Sequence, residues 1–376
     1  MKRVLIYDDE IFGHHLEYIH HIHERAVLEQ DMEFVFVCPE KFLELKGMLD
    51  WTGSTNVRFD FLSAEEYADI HAVFRTSFSK SAKALGRRVR KYRPDEVFLI
   101  VLPQVVPFDL LHIRGKVKIS GIIYSMLPLQ LSSLSWRRKL VKKLTYKYLL
   151  RSSRYKDLYV LNSHSYAGLF NSRYRTGKFK YLTDPIPISP EPGESLRGEL
   201  GIPEDARVFL HLGAMRGPKG TLAILDALKS IPAGKAGGMY FIFAGRIQDD
   251  IKEEFYRKYG GLKDSYNLIL KDEFLPFAMM NSFYKTCDVV LAPYYDSFQS
   301  SGVVGCAALF HKPIIVLDDG FAADLVKEYR LGRAVKPEDL PAAIQDCGFD
   351  GFAPERYVRE HTIDEFTTRI FSGFAK

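Results

Sequence analysis

Short apolar runs alternate with helix-length amphipathic stretches along the whole chain. In the first half, runs with the length of buried strands occupy residues 4–7, 34–37, 97–101, 118–124 and 158–161. Between them the hydrophobic period is that of a helix, over residues 15–29, 64–91, 136–152 and 165–174. Strands that alternate with helices in this order predict a parallel, doubly wound α/β sheet.

A proline-rich segment interrupts this alternation. Residues 184–193 contain four prolines, a density that neither a helix nor a central strand tolerates. The pattern then restarts, with strands at 208–212, 240–244, 268–271, 289–292 and 313–317 and helices that begin near residues 219, 250, 276, 302 and 322. We therefore expect two Rossmann-like domains, residues 1–183 and 184–376, facing each other across a ligand-binding cleft.

Composition excludes several classes of protein. Apolar residues make up 47% and charged residues 26% of the 376 positions, so the chain is neither disordered nor fibrous. No run approaches the roughly 18 apolar residues of a membrane-spanning helix, and acidic residues at 8–10 come too early for a signal peptide. Cys38, Cys287, Cys306 and Cys347 form no CxxC pair, which argues against a disulfide framework or a zinc site. We expect a cytoplasmic protein.

The first segment with candidate chemistry is the glycine-rich loop after the strand at 208–212. Gly213 permits a sharp turn, and Arg216 and Lys219 place two cations just before a predicted helix. Two cations beside a helix N-terminus suit a diphosphate. The alternative is an ordinary strand–helix loop with surface charges.

The second segment follows the strand at 289–292. Ser300, Ser301 and Gly302 open a helix of small residues, where a serine can cap the helix and backbone N–H groups attract an anion. The alternative is simple capping of a buried helix. Two serines and a glycine also suit close approach of a ligand to the backbone.

These two segments resemble the nucleotide-sugar domain of GT-B glycosyltransferases, most closely the retaining family 4 type, also called glycosyl transferases group 1. The matching positions are Gly213, Lys219 and Gly220 in the first motif and Ala307, Lys312, Pro313 and Ile314 in the second. The loop at 12–18, with Gly13 and His14, is similar to the family's Gly-Gly-His-type loop, which lies under the donor phosphates. The resemblance covers nearly the whole chain. It implies a GT-B fold, in which the last helix, about residues 360–374 here, often crosses back onto the first domain.

The chain departs from the family pattern where the donor ribose is bound. The family's ribose-binding glutamate falls on Cys306, and its first glutamate falls on Phe298, with Asp296 and Gln299 nearby. A thiol does not anchor a ribose diol as a carboxylate does. Diphosphate binding is therefore expected to be retained, and ribose and sugar recognition to be altered.

The resemblance implies a division of roles among the candidate residues. Arg216 would reach in where the family's diphosphate arginine is replaced by Ala214. The donor diphosphate is expected at Gly13, Gly213, Arg216, Lys219, Ser300, Ser301 and Gly302. The donor ribose and sugar are expected near Gln299 and Cys306, and the catalytic candidates are Asp296 and His14. Two cations and a helix dipole can neutralise a leaving diphosphate, so neither a metal nor another cofactor is expected.

Five histidines crowd into residues 14–23, but only His20 and His23 share a helical face. No acidic partner completes a metal-site pattern. We therefore interpret His14 as the histidine beside the ligand loop and the other four as surface or packing residues.

A strongly basic stretch lies within the first half of the chain. Residues 136–156 contain nine basic residues and no acidic one, beside an apolar stripe of Trp136, Leu140, Leu144 and Tyr148. Such a helix can lie on an anionic membrane surface, or it can be a packed helix with a solvated basic face. The packed helix is the simpler interpretation, and the resemblance keeps the membrane alternative open, because many members of that family act on lipid-linked acceptors. Nucleic acid is not expected, because no aromatic platform or known reader motif accompanies the charge.

The resemblance implies transfer of a sugar from a nucleotide-diphosphate donor to a carbohydrate or lipid-linked acceptor, with retention, in glycan or surface polysaccharide biosynthesis. The enzyme would be cytoplasmic and peripheral on the inner face of the membrane. One alternative is a non-catalytic GT-B protein that binds a nucleotide or sugar as a partner or scaffold, which Phe298 and Cys306 at the glutamate positions support. A nucleotide-sugar epimerase is a further alternative, but it needs acid/base carboxylates that the sequence does not identify.

Overall fold

The computed structural model describes residues 1–10, 15–45, 51–72, 75–124, 135–186, 193–232, 234, 236–295, 301–346 and 348–375. The chain forms two compact units. Unit 1 comprises Met1–Thr183 and Ile363–Lys376, and unit 2 comprises Asp184–Thr362. Most of the proline-rich segment, residues 187–192, lies outside the described residues.

Unit 1 is built on a parallel sheet. Its strands are β1 (Lys2–Tyr7), β2 (Met32–Pro39), β3 (Val57–Leu62), β4 (His71–Ala72), β5 (Arg75–Thr76), β6 (Glu96–Leu99), β7 (Lys118–Ile123), β8 (Tyr155–Leu161) and β9 (Phe179–Leu182). Seven of them pair in parallel in the order β3-β2-β1-β6-β7-β8-β9. The central strand β6 is buried along its whole length, as expected for a strand covered on both faces.

The helices of unit 1 that precede unit 2 are α1 (His15–Leu28), α2 (Phe42–Leu45), α3 (Ala64–Ile70), α4 (Phe78–Tyr92), α5 (Asp109–His112), α6 (Trp136–Arg151) and α7 (His164–Tyr174). The predicted single helix over 64–91 is wrong, because the antiparallel pair of β4 and β5 separates α3 from α4. The Ser77 N–H donates to the Ile70 carbonyl at 2.7 Å, which closes this excursion before α4 begins.

Unit 2 has the same plan on six strands. They are β10 (Arg207–Leu212), β11 (Met239–Ala244), β12 (Asn267–Lys271), β13 (Val289–Ala292), β14 (Ile314–Leu317) and β15 (Gly332–Val335). All neighbours are parallel, in the order β12-β11-β10-β13-β14-β15. The helices are α8 (Thr221–Lys229), α9 (Lys252–Gly260), α10 (Phe277–Thr286), α11 (Gly302–Leu309), α12 (Gly320–Tyr329), α13 (Leu340–Gln345) and α14 (Glu355–Glu360).

The last helix, α15 (Ile363–Phe374), packs within unit 1. Phe366, Ile370, Phe371 and Phe374 are buried in the core cluster of that unit, and the Phe371 ring centroid lies 5.5 Å from that of Phe34 in β2. Burying several aromatic and aliphatic side chains supplies a strong hydrophobic attachment to unit 1.

Each parallel sheet contains a position where the strand order reverses. In unit 1 it lies between β1 and β6, and in unit 2 between β10 and β13. At such a position neighbouring loops diverge beyond the carboxyl ends of the strands and leave room for a ligand. The two parallel sheets confirm the predicted α/β class. The two reversals of strand order mark where a ligand-binding site is expected.

Candidate functional site

The loop from β10 to α8 has a backbone shape that requires glycine. Gly213 has a φ of +106°, and Gly220 has a φ of +67°, a region that side chains disfavour. A methyl group on Gly220 would overlap the Pro293 carbonyl oxygen, which follows β13. The Tyr295 N–H also donates to the Pro218 carbonyl at 2.9 Å, so the loops after β10 and β13 are locked together at the strand-order reversal.

Lys219 is the charged group at the centre of this contact. Its Nζ lies 3.8 Å from the Tyr294 ring centroid, a cation–π geometry, and the lysine is half-buried. Among the described residues, no carboxylate pairs with it. Burial, and then the charge of Arg216, lower the Lys219 pKa to about 8. A positive charge held without a counterion is suited to an anionic ligand.

His211 is a buried, uncharged residue that connects the elements around this loop. Its Nδ1 lies 2.9 Å from the Leu291 carbonyl and its Nε2 lies 2.9 Å from the Thr221 hydroxyl, in the first residue of α8. Burial lowers the His211 pKa to about 4, so the ring is neutral near pH 7. Nδ1–H therefore donates to Leu291, and Nε2 accepts from Thr221. The ring ties β10, β13 and α8 together.

The start of α11 differs from the predicted cap. Ser301 occupies the N-cap position, but its side chain makes no capping hydrogen bond. Burial raises the pKa of Tyr294, and a hydrogen bond with Ser301 partly offsets that rise, which connects this serine to the Lys219 contact. The first N–H groups of α11, beginning at Gly302, therefore receive no capping hydrogen bond from the Ser301 side chain.

The remaining candidate residues of unit 2 make fewer contacts that bear on a ligand site, or lie outside the described residues. Arg216 is exposed on the same loop as Lys219. Cys306 is half-buried on α11 against the core of unit 2, and its thiol contributes to raising the pKa of buried Tyr284. Asp296, Gln299 and Ser300 lie outside the described residues.

In unit 1, the structure places His15 beside a buried carboxylate, although the sequence predicts a surface or packing role for this residue. The His15 Nδ1 lies 2.7 Å from Oδ2 of buried Asp8, immediately beyond β1, and the ring stacks on Tyr124 beyond β7 with a centroid distance of 5.7 Å. Burial lowers the His15 pKa, but the charge and hydrogen bond of Asp8, together with the charges of Glu10 and Asp9, outweigh burial and raise the pKa. With Nδ1 engaged by Asp8, Nε2 can accept a proton from a ligand hydroxyl. Gly13 and His14 lie outside the described residues.

Asp9 is fully buried directly behind this pair. Its Oδ2 accepts hydrogen bonds from the Ser81 and Tyr7 hydroxyls, and its carbonyl oxygen lies 2.6 Å from Nε2 of His71. Its Oδ1 has no hydrogen-bond partner in the part of the chain that the structure describes. Burial raises the Asp9 pKa from 3.8 to about 6, against the stabilising hydrogen bond of Ser81.

This burial predicts a pH-dependent cost to stability. The raised pKa means that the folded state binds a proton more tightly than the unfolded state, so the contribution of Asp9 to stability falls as pH rises from about 4 to 6. We expect the free energy of unfolding of Asp9→Asn to rise by about 2 kcal/mol relative to that of the wild type between pH 4 and pH 7.5. Urea unfolding followed by tryptophan fluorescence measures this, and a difference that does not change with pH would contradict it.

His20 and His23 of α1 have packing roles. The His20 and His23 rings both meet Trp51 edge-on, with centroids 4.8 and 5.0 Å away, and His23 is buried. Among the described residues, no group of three or more His, Cys, Asp or Glu side chains could hold a metal ion.

The basic helix α6 exposes most of its predicted apolar stripe. Trp136, Leu140, Val141 and Leu144 are 50–69% exposed, whereas Tyr146 and Leu149 are buried. The Tyr148 hydroxyl donates to Asp109 Oδ2 at 2.6 Å, so this end of the stripe packs on α5. None of the described helices has both the length and the apolar character needed to cross a membrane.

Comparison with known proteins defines the class. HepE of Anabaena, solved with UDP, has a TM-score of 0.71 and 14% identity, with 100% of both chains covered. Sucrose-phosphate synthase from Thermosynechococcus elongatus has a TM-score of 0.69 and 14% identity, covering 100% of this chain and 98% of that one. WaaG, a glycosyltransferase involved in lipopolysaccharide biosynthesis, has a TM-score of 0.65 and 14% identity, covering 99% of each chain. The chain therefore has the GT-B fold, as the sequence predicted.

The family can then be stated for the second half of the chain. Residues 193–346 match the family model of glycosyl transferases group 1, so unit 2 carries a domain of that family. This confirms the resemblance found at Gly213, Lys219 and Gly220. Among curated proteins, none matches the sequence.

Proposed function

We propose that this protein is a hexosyltransferase that transfers a sugar from a nucleotide-diphosphate donor to a carbohydrate or lipid-linked acceptor. The observation that carries the proposal is Lys219, a half-buried cation at the strand-order reversal of unit 2 that pairs with no carboxylate among the residues the structure describes. Leaving-group diphosphate is the group whose charge grows during glycosyl transfer, so a preorganised cation there stabilises the transition state. The resemblance to family 4 supports retention, and a role in glycan or surface polysaccharide biosynthesis.

The proposed donor site divides its work among groups of different kinds. Arg216 and Lys219 provide charge, Gly213 permits close backbone approach, and Ser301 and Gly302 present the start of α11. Gly13 and Ser300 are proposed to complete the diphosphate site, and Gln299 and Cys306 to lie by the ribose and sugar. With this charge available, the proposed reaction needs no metal.

On the acceptor side, the proposal keeps His14 and Asp296 as candidates and adds His15. Among the described residues of unit 1, His15 has the arrangement of a group that meets a hydroxyl, because Asp8 orients its ring. The acceptor is proposed to bind by the carboxyl ends of β1 and β7.

A donor screen tests the function directly. HepE was crystallised with UDP-glucose, which supports trying uridine donors first. Calorimetry with a panel of nucleotide sugars, followed by an assay of donor hydrolysis and transfer, should show binding and turnover of one donor. Binding without turnover would instead favour the non-catalytic scaffold, the candidate that Cys306 in place of glutamate supports. Absence of donor binding would contradict both.

Cys306 predicts weak discrimination at the ribose. Because a thiol does not anchor the diol, ribo- and 2′-deoxyribonucleotide donors should bind within about tenfold of each other, a difference near 1.4 kcal/mol. A site built to hydrogen-bond the hydroxyl would reject its absence far more strongly. Dissociation constants for both donor types should be compared in wild type and Asp296→Ala. A strong ribose preference that survives the Asp296 change would show that the contact lies elsewhere.

A further part of the proposal is that the enzyme is cytoplasmic and binds an anionic membrane surface peripherally through residues 136–156. The exposed apolar side chains of α6 and its positive charge support this part. Reversing the charges of Arg137, Arg138, Lys142 and Lys143 should abolish sedimentation with anionic vesicles at low salt, and added salt should reproduce the loss. Trp136 is 69% exposed, so a blue shift of its fluorescence should accompany binding by the wild type. Indifference of the wild type to vesicles at every ionic strength would refute the membrane assignment.

A further inference from the structure

A basic pocket lies between α6 and the end of α7, and the proposed sugar transfer makes no use of it. Its volume is about 600 Å³. Three cations of α6 line it, Lys143, Lys147 and Arg151, together with Arg173 and Arg175 at the end of α7. The spacing of four residues between the α6 cations puts them on one face of the helix. The pocket is therefore a concave surface with one sign of charge.

These five cations have no compensating charge among the residues that the structure describes. Within the described residues, none of them forms an ion pair with a carboxylate. Residues 110–183 contain sixteen lysines and arginines but one acidic residue, Asp157, which is buried. Like charges around one cavity repel one another, and low-dielectric walls strengthen their field toward an entering anion. The arrangement is thus suited to a ligand that brings negative charge.

The pocket also has an apolar side. Tyr146, Leu150 and Tyr174 contribute to its wall, and the Arg173 guanidinium lies 5.8 Å from the Tyr174 ring centroid of α7. On the adjoining face of α6, Leu140 and Leu144 are exposed. Charge in a pocket next to exposed apolar side chains matches an amphipathic ligand whose charged group is held while its apolar part lies along the helix.

We propose that this pocket binds the phosphate of an anionic lipid headgroup and fixes unit 1 on the membrane. Guanidinium groups bind phosphate oxygens through paired hydrogen bonds, and lysines add charge. The inference rests on the membrane-surface part of the proposed function and sharpens it. Surface attraction needs only a basic, apolar face, whereas a pocket makes binding depend on particular cations.

Two variants with equal loss of charge separate a pocket from diffuse attraction. Lys147→Gln with Arg173→Gln removes two pocket cations, and Arg137→Gln with Lys139→Gln removes two cations of α6 that do not line the pocket. Binding is measured to phosphatidylcholine vesicles containing about one-fifth phosphatidylglycerol, near physiological salt. We expect the pocket pair to lower vesicle affinity at least about tenfold more than the control pair. Glycerophosphoglycerol, which is phosphatidylglycerol without its acyl chains, should bind far more weakly than the vesicles.

Each outcome distinguishes a lipid-binding pocket from one of its alternatives. Equal weakening by the two pairs would overturn the pocket and leave diffuse membrane attraction. Equally tight binding of free glycerophosphoglycerol would overturn the proposal that the bound phosphate belongs to a membrane lipid. Failure of the wild type to bind vesicles would overturn both this inference and the membrane surface. UDP-glucose affinity, measured in parallel, should be unchanged in both pairs, so a failure of the donor proposal is seen separately.

Discussion

Replacing Lys219 by methionine is expected to weaken binding of the nucleotide-diphosphate donor by about 10- to 150-fold. This range corresponds to about 1.5–3 kcal/mol, the contribution of a charge-assisted hydrogen bond. Methionine can keep the packing over the Tyr294 ring, so the loss isolates the charge. Isothermal calorimetry with the donor identified in the screen measures the effect. Unchanged affinity would exclude Lys219 from the diphosphate site.

The pH dependence provides the control for this prediction. Because the Lys219 pKa is about 8, the wild type should lose donor affinity as pH rises through 8 and the cation is neutralised. The charge of a doubly esterified diphosphate is constant over this range, so the lysine dominates the change. Lys219→Arg retains its charge and should show a much flatter profile, as should Lys219→Met, which has no charge to lose.

Gly220→Ala is expected to destabilise unit 2 by at least about 3 kcal/mol, among the largest effects of a single methyl group. A side chain at a φ of +67° is strained, and its Cβ would also overlap the Pro293 carbonyl oxygen, forcing the loops after β10 and β13 apart. The clash therefore displaces the neighbourhood of Lys219 as well as costing stability.

Gly201→Ala is the matched control. Gly201 has nearly the same φ, +64°, but nothing lies within 4 Å of a Cβ built there. This substitution should lower the stability of unit 2 by about 1 kcal/mol, because only the strain of the left-handed backbone contributes. Both tryptophans, Trp51 and Trp136, belong to unit 1, so their fluorescence reports on the other unit. Unit 2 is followed by amide hydrogen exchange in α8. Similar losses in the two variants would show that the Pro293 contact does not limit this loop.

The sequence predicts the central strands well, because a strand buried on both faces needs an almost unbroken apolar run. It does not reveal the edge strands β3, β9 and β15, because most positions of β3, all of β15 and half of β9 are exposed or only half-buried. The excursion between α3 and α4 was also missed, since helical periodicity continues on both sides of it. Local sequence patterns therefore determined the fold class, whereas long-range packing decided the edge strands and where individual helices begin and end.

The candidate site divides in the same way. Gly213, Lys219 and Gly220 could be found from sequence, because backbone turns and helix starts depend on residues close together in the chain. The position of Lys219 over Tyr294 was decided by tertiary structure, which brings together residues 75 positions apart.

Tertiary structure also decided which polar and apolar groups remain available for binding. The orientation of His15 depends on Asp8, just after β1, and on Tyr124, which stacks against the ring from beyond β7. The apolar residues of α6 look like a packing stripe in sequence, yet Leu140 and Leu144 are exposed because Tyr146 and Leu149 occupy the buried side. Sequence periodicity shows that a helix has an apolar face. Only packing against the rest of the unit determines which face is buried.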